Sequence, residues 1–167
     1  MTNALDEIIR QAAATHLADW SYDWRLFKAQ LWQESRLKPN AISPAGAQGI
    51  AQVMPETWQE WSKKAGYPYA SPFDPEASVN VGACYMDYQL NQWYWDRPDV
   101  DRYALALASY NAGLKNILEA QLLAGNASGY AEIIARLPDV TGSHSAETVD
   151  YVQKVFKFWI AQVLGGV

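Results

Sequence analysis

Glu34 is the residue of this sequence whose type and position could best do acid–base chemistry. Trp24, Phe27 and Leu31 recur at helical spacing, and Glu34 extends their apolar arc by steps of three and four. A carboxylate on such an arc is costly to bury unless it has a task or a partner. Desolvation there would raise its pKa, as a general acid working near neutrality requires. The helical wheel alone leaves a second reading open, a helix-end glutamate leaning into solvent. Just downstream, Gly46 and Gly49 stand three apart, followed by Gln52, Met54 and Pro55. These residues describe a tight loop whose backbone can pass close to a ligand. Other reactive groups are sparse. Cys84, the single cysteine, sits among Val81, Ala83 and Tyr85, reads as a small buried hydrophobe, and rules out an internal disulfide. His16 and His144 make no metal-ligand pattern with each other or with Cys84, so neither a metal nor another cofactor is expected.

The elements that must position these groups read as helices. The first is expected over about 4–18, with Leu5, Ile8, Ile9, Ala12 and Ala13 at helical spacing and Asn3 as N-cap. The helix carrying Glu34 is expected over about 23–37, stopped by Pro39. A third opens at Pro55 and ends at Gly66. Asp74-Pro75-Glu76 reads as a cap, a first-turn proline and a first-turn acid, launching a long helix over about 75–92. Further helices are expected over about 101–110, 114–124 and, with a weaker pattern, 129–136. The last, about 146–163, strings Val149, Val152, Phe156, Trp159 and Val163 on one stripe before Gly165-Gly166. Residues 138–146 read as a loop, and 42–54 could form at most a small β ribbon. The fold class is mainly α, a single domain of seven to nine helices over 1–167.

Composition narrows the function. Half of the 167 residues are hydrophobic and 19% charged, which describes a globular chain able to bury a core. A net charge of −5 argues against nucleic acid, whose readers present a basic face. No stretch approaches 18 uninterrupted apolar residues, so no membrane-spanning helix is expected. Residues 1–14 set Asp6 and Glu7 ahead of Arg10, unlike the basic-then-apolar run of a secretory signal. A processed chain, or one delivered without its own signal, is the expectation. Eight tryptophans are many for this length. Trp24, Trp32 and Trp159 sit at helical spacing and read as core, whereas Trp93 or Trp95, beside Asn91, Gln92 and Asp96, could stack on a sugar ring.

Four blocks in order carry a family resemblance. They are Gln33-Glu34-Ser35, the run Gly46 to Thr57, Ser109-Tyr110-Asn111-Ala112-Gly113, and Glu147-Thr148-Val149-Asp150-Tyr151-Val152. Together with the run Phe73 to Ala83, the sequence resembles the soluble lytic transglycosylase family of the goose-type lysozyme superfamily over roughly 25–160. Where that family usually has methionine and alanine, this chain has Ala51 and Ser109, and 138–146 is longer than usual.

The resemblance implies a lysozyme-like fold and an enzyme that cleaves peptidoglycan glycan strands, leaving 1,6-anhydro-N-acetylmuramic acid ends. It implies Glu34 as the catalytic acid and then base, with Ser43 and Gln52 bonding substrate, Met54 lining the sugar site, and Tyr110 and Asn111 bordering it. Glu147 and Tyr151 would brace it from the last helix. Each of these residues has a plainer alternative. Gln52 could satisfy loop backbone groups, Tyr110 could be core, Met54 could be packing, and Glu147 could be a dipole-favoured helix acid. A hydrolytic lysozyme on the same fold is the runner-up; it needs a second carboxylate or a positioned water, and Glu56, Glu60 and Asp74 are the candidates to test. A non-catalytic glycan-binding protein is a third reading. The expected setting is the periplasm or wall, reached by a monomer, with a phage endolysin as the favoured origin.

Overall fold

Three of the expected helix starts are built as their residues dictate. Asp23 caps its helix by accepting from the Arg25 N–H at 3.0 Å. Pro55 occupies a first-turn position, where a missing N–H costs nothing. The Asp74 carboxylate accepts from the Ala77 N–H at 2.9 Å. The structure, a computed structural model, describes residues 4–165. Asn3, expected as the first N-cap, and Gly166 lie outside them. Nine α-helices occur among the described residues: α1 Ala4–His16, α2 Trp24–Ser35, α3 Pro55–Lys64, α4 Pro75–Gln92, α5 Asp99–Ala112, α6 Leu114–Leu123, α7 Tyr130–Ile134, α8 Leu137–Thr141 and α9 Ser145–Val163. The expected ribbon is reduced to two antiparallel bridges, Ile42 with Gln48 and Gln48 with Val53. The fold is mainly α, as the sequence implied.

The chain forms two compact units, and it passes from one to the other inside α4 and again inside α9. The first holds the chain up to Asp87 together with the part from Val155 onward. In it α1 packs on α2, and Ile9, Phe27, Leu31, Ile50, Val79 and Met86 are fully buried. At roughly 25 cal/mol per Å² of apolar surface, each such side chain contributes about 1.5–3 kcal/mol. Lys28 pairs with Asp6 at 2.7 Å, and the Trp20 indole donates to Asp87 at 2.8 Å. Trp32 stacks on Phe158 with ring centres 5.0 Å apart.

The second unit, Tyr88–Lys154, is built around α5. Seven consecutive α5 residues, Tyr103 to Ser109, are buried, which is the signature of a helix enclosed on every side. α6 packs on α5, α7 and α8. Residues 138–146 are not the loop expected from sequence. Pro138 opens a helical turn in α8, a 3-10 turn follows over Gly142–His144, and the Ser145 hydroxyl donates back to the Gly142 carbonyl at 2.8 Å.

Candidate active site

Glu34 stands in the last turn of α2 and is half-buried. Two residues later the helix stops, earlier than expected and not at Pro39. Arg36 and Leu37 both take the left-handed conformation, at φ 56° and 58°. Two such non-glycine residues in a row are strained, so the surroundings must hold them. Trp32 supplies part of that hold. The Arg36 N–H bonds the Trp32 carbonyl at 2.9 Å, and its guanidinium lies 5.5 Å from the centre of the Trp32 ring.

The residue after the glutamate fixes it to the glycine loop. Ser35 is buried, and its hydroxyl donates to the Ile50 carbonyl at 2.8 Å. The loop is cross-tied along its length. Gly49 N–H bonds the Ala41 carbonyl at 2.9 Å, Gly46 N–H bonds the Ser43 carbonyl at 2.9 Å, and Ala51 N–H bonds the Ser78 hydroxyl at 3.3 Å. A Cβ added at Gly49 would fall 1.9 Å from the Pro72 carbonyl oxygen, so only glycine fits there. Sequence reading placed this loop but missed the ties from Ser35 and Ser78. Their partners lie 15 and 27 residues away, and spacing carries no sign of them.

Ser43 and Gln52 both belong to this loop. Ser43 Oγ accepts from the Ala47 N–H at 3.0 Å, which leaves its hydroxyl proton to offer. Gln52, at φ 49°, donates from Nε2 to the Gly49 and Ala41 carbonyls at 2.8 and 3.2 Å. The backbone-satisfying role raised from the sequence is therefore filled, and its Oε1 is what it can present to a substrate. Met54 is 44% exposed at the head of α3. Ala51 is fully buried, so in this chain that position packs inside the loop.

The carboxylates that a hydrolase would need are otherwise engaged or solvated. Glu60 is paired with Lys64 at 2.6 Å, Asp74 caps α4, and Glu56 is exposed in the first turn of α3. Cys84 is half-buried rather than fully buried, and burial pushes its thiol up from the ordinary value, away from nucleophilic thiolate.

In the second unit, Asn111 and Glu147 line one pocket of about 370 Å³, with Asn116, His144 and Thr148. The Thr148 hydroxyl donates to Asn111 Oδ1 at 2.8 Å and orients that amide. From sequence, Thr148 stands only as part of the fourth block and His144 only as a histidine without a metal pattern; neither is expected in the site. Tyr110 is half-buried, and Tyr151 is buried in α9. Trp93 and Trp95 separate cleanly. Trp93 is 1% exposed, and its indole donates to Ser109 Oγ at 3.0 Å, which gives the unusual Ser109 a use inside the core. Trp95 is 64% exposed. Trp24, Trp32 and Trp159 are half-buried rather than core.

A mainly helical fold of this kind is what known proteins share with this one. The chain belongs to the Transglycosylase SLT domain family, whose model matches residues 11–133. It is 32% identical over 120 residues to the membrane-bound lytic murein transglycosylase F of Pectobacterium atrosepticum, covering 70% of this chain and 24% of that protein. The protein of the same name from Shewanella sp. strain ANA-3 is 36% identical over 115 residues, covering 69% and 22%. Among solved structures, the lytic transglycosylase Slt of Pseudomonas aeruginosa, an inactive mutant, aligns with a TM-score of 0.73 at 26% identity, over 98% of this chain and 25% of that one. The 70 kDa soluble lytic transglycosylase of Escherichia coli gives 0.67 at 26%, over 93% and 24%. The chain therefore spans about a quarter of the length of these relatives. No helix among the described residues is long and apolar enough to cross a membrane.

Proposed function

We propose that this chain is a peptidoglycan lytic transglycosylase in which Glu34 acts first as acid and then as base on the bond between N-acetylmuramic acid and N-acetylglucosamine. The observation that carries the reading is one half-buried glutamate, anchored through Ser35 to a cross-tied loop, while Asp74 caps α4 and Glu56 and Glu60 stand exposed at the surface. Glu34 gives its proton to the glycosidic oxygen as that bond breaks. The substrate's own N-acetyl oxygen supports the developing cation at the anomeric carbon. The Glu34 carboxylate then takes the proton from the sugar's O6, which closes onto that carbon as a 1,6-anhydro ring, with no net uptake of water. An N-acetyl group needs one donor and one acceptor, and Ser43 and Gln52 supply that pair from the loop. In this reading Met54 gives the sugar an apolar edge, and Asn111 and Glu147 face substrate in their own pocket. Residues 1–167 work as one catalytic domain, a monomer acting on the cell wall.

The test is Glu34→Gln on purified peptidoglycan. Losing a general acid and base should lower the rate by on the order of 10²–10⁴ with the helical circular dichroism unchanged. Mass spectrometry of wild-type digests should find anhydro ends, one water lighter than reducing ends. Reducing ends alone would assign the chain to the hydrolytic lysozymes instead.

A further inference from the structure

We propose that the second unit carries a binding pocket for a carboxylate on a small saccharide or peptide, built on Arg97 and Trp95 and separate from the pocket at Asn111. It is a pocket of about 410 Å³, lined by Gln92, Trp95, Arg97, Gln121, Asn126 and Ser128. That is the size of a small-ligand site. Arg97 precedes the first residue of α5 and Asn111 stands in its last turn, and no residue lines both pockets.

Arg97 is only 7% exposed, and its Nη1 is buried with no hydrogen-bond partner. Its Nε reaches the Trp95 carbonyl by a long bond of 3.4 Å, and the guanidinium lies 5.2 Å from the centre of the Trp93 ring. A π face stabilises the charge but accepts none of the in-plane N–H bonds. A buried guanidinium nitrogen without an acceptor is costly, and a carboxylate is the group that matches the fork. The neighbouring charges do not fill that role. Arg102 is taken by Asp99 and the Trp93 carbonyl, and it repels Arg97; Asp101 attracts Arg97 from a distance without bonding it. Burial, with Arg102, pushes the Arg97 guanidinium down from its ordinary value, against Asp101, so an anion arriving here would relieve the cost.

The rest of the lining sets the ligand's body. Trp95 stacks on Tyr94 with ring centres 4.8 Å apart, which holds its indole face steady for an apolar or sugar-ring surface. Gln121 spends its Nε2 on the Ala127 carbonyl at 3.1 Å, leaving an acceptor for a hydroxyl or amide. A carboxylate next to a ring or short aliphatic body with polar substituents satisfies all three.

Titration of the isotopically labelled protein, followed by NMR, tests this without any need for catalysis. N-acetylmuramic acid supplies a sugar-borne carboxylate, the dipeptide of L-alanine and D-glutamate a peptide-borne one, and N-acetylglucosamine the neutral control. At least one carboxylate ligand should move the Trp95 indole and the amides of 121–128 saturably, and whichever moves them identifies the source. Arg97→Gln should weaken that ligand at least ten-fold. Trp95→Ala, an exposed change that spares the fold, should weaken it several-fold, and Ser128→Glu should block it by offering Arg97 an internal carboxylate. Shifts from neither carboxylate would overturn the proposal. So would equal binding of N-acetylglucosamine, or a folded Arg97→Gln that binds like wild type. If Arg97→Gln does not fold, unchanged binding in both Trp95→Ala and Ser128→Glu overturns it equally.

Discussion

At the scale of single residues, Gly49 and Gly46 show how much of the loop is dictated by space and how much by backbone angle. Both take positive φ, 74° and 93°. A Cβ at Gly49 would also strike the Pro72 carbonyl and sit 2.6 Å from Ser78 Oγ, whereas at Gly46 nothing lies within 4 Å. Gly46→Ala should therefore cost only the left-handed strain, about 1–2 kcal/mol, and Gly49→Ala that strain plus overpacking, about 3 kcal/mol or more. Urea unfolding midpoints separate the two. Ser35→Ala leaves the buried Ile50 carbonyl without its donor and should cost about 1–3 kcal/mol. The glycines were legible because positive φ and close approach select one residue type. Ser35, Ser78 and Thr148 were not, because a serine or threonine hydroxyl finds its partner only after the chain has folded. The same holds for Trp93 and Trp95, two positions apart and alike in sequence, one closed into the core by Ser109 and the other left at the surface.

Helices show the same division. Their starts were read closely at α3 and α4 because caps and first-turn prolines are local chemistry, and α4 was placed at 75–92 as observed. Ends were read less well. α2 stops on Arg36 and Leu37 in a conformation that neither side chain favours, so no residue preference announced it. α8 falls largely within 138–146, where the sequence suggests a loop, yet Pro138 opens a helical turn and Gly142 closes it. The α2 cap gives a pH prediction. Burial alone would raise the Asp23 carboxyl, but side-chain and backbone bonds from Arg25 and its charge outweigh burial and hold it below the ordinary 3.8. A group depressed in the folded chain adds stability that is present above its unfolded value and is lost as pH falls through the folded one. Asp23→Asn keeps a capping oxygen but has no charge to titrate. Wild type should thus lose more stability than Asp23→Asn as pH drops from about 5 to about 3, read as the difference in unfolding midpoint. Parallel pH profiles would show that the Asp23 charge does not stabilise α2.

For the whole molecule, the governing quantity is the net charge of −5. On the proposed function, a wall polymer bearing carboxylates would repel such a protein at long range, so capture would rest on short-range contacts to sugar. Screening removes that repulsion while leaving loop hydrogen bonds and apolar contacts in place. Between about 10 mM and about 150 mM salt the Debye length shrinks from about 30 Å to about 8 Å. Initial release of soluble fragments from purified sacculi should therefore hold steady or rise across that range. Reversal of surface charge gives the control. Replacing the exposed, ion-paired Glu60 and Asp150 with lysine raises the charge by four, to about −1, and should flatten any salt-driven rise. A several-fold fall in wild-type rate with added salt would mean that a local cationic surface, not the net charge, governs approach to the wall.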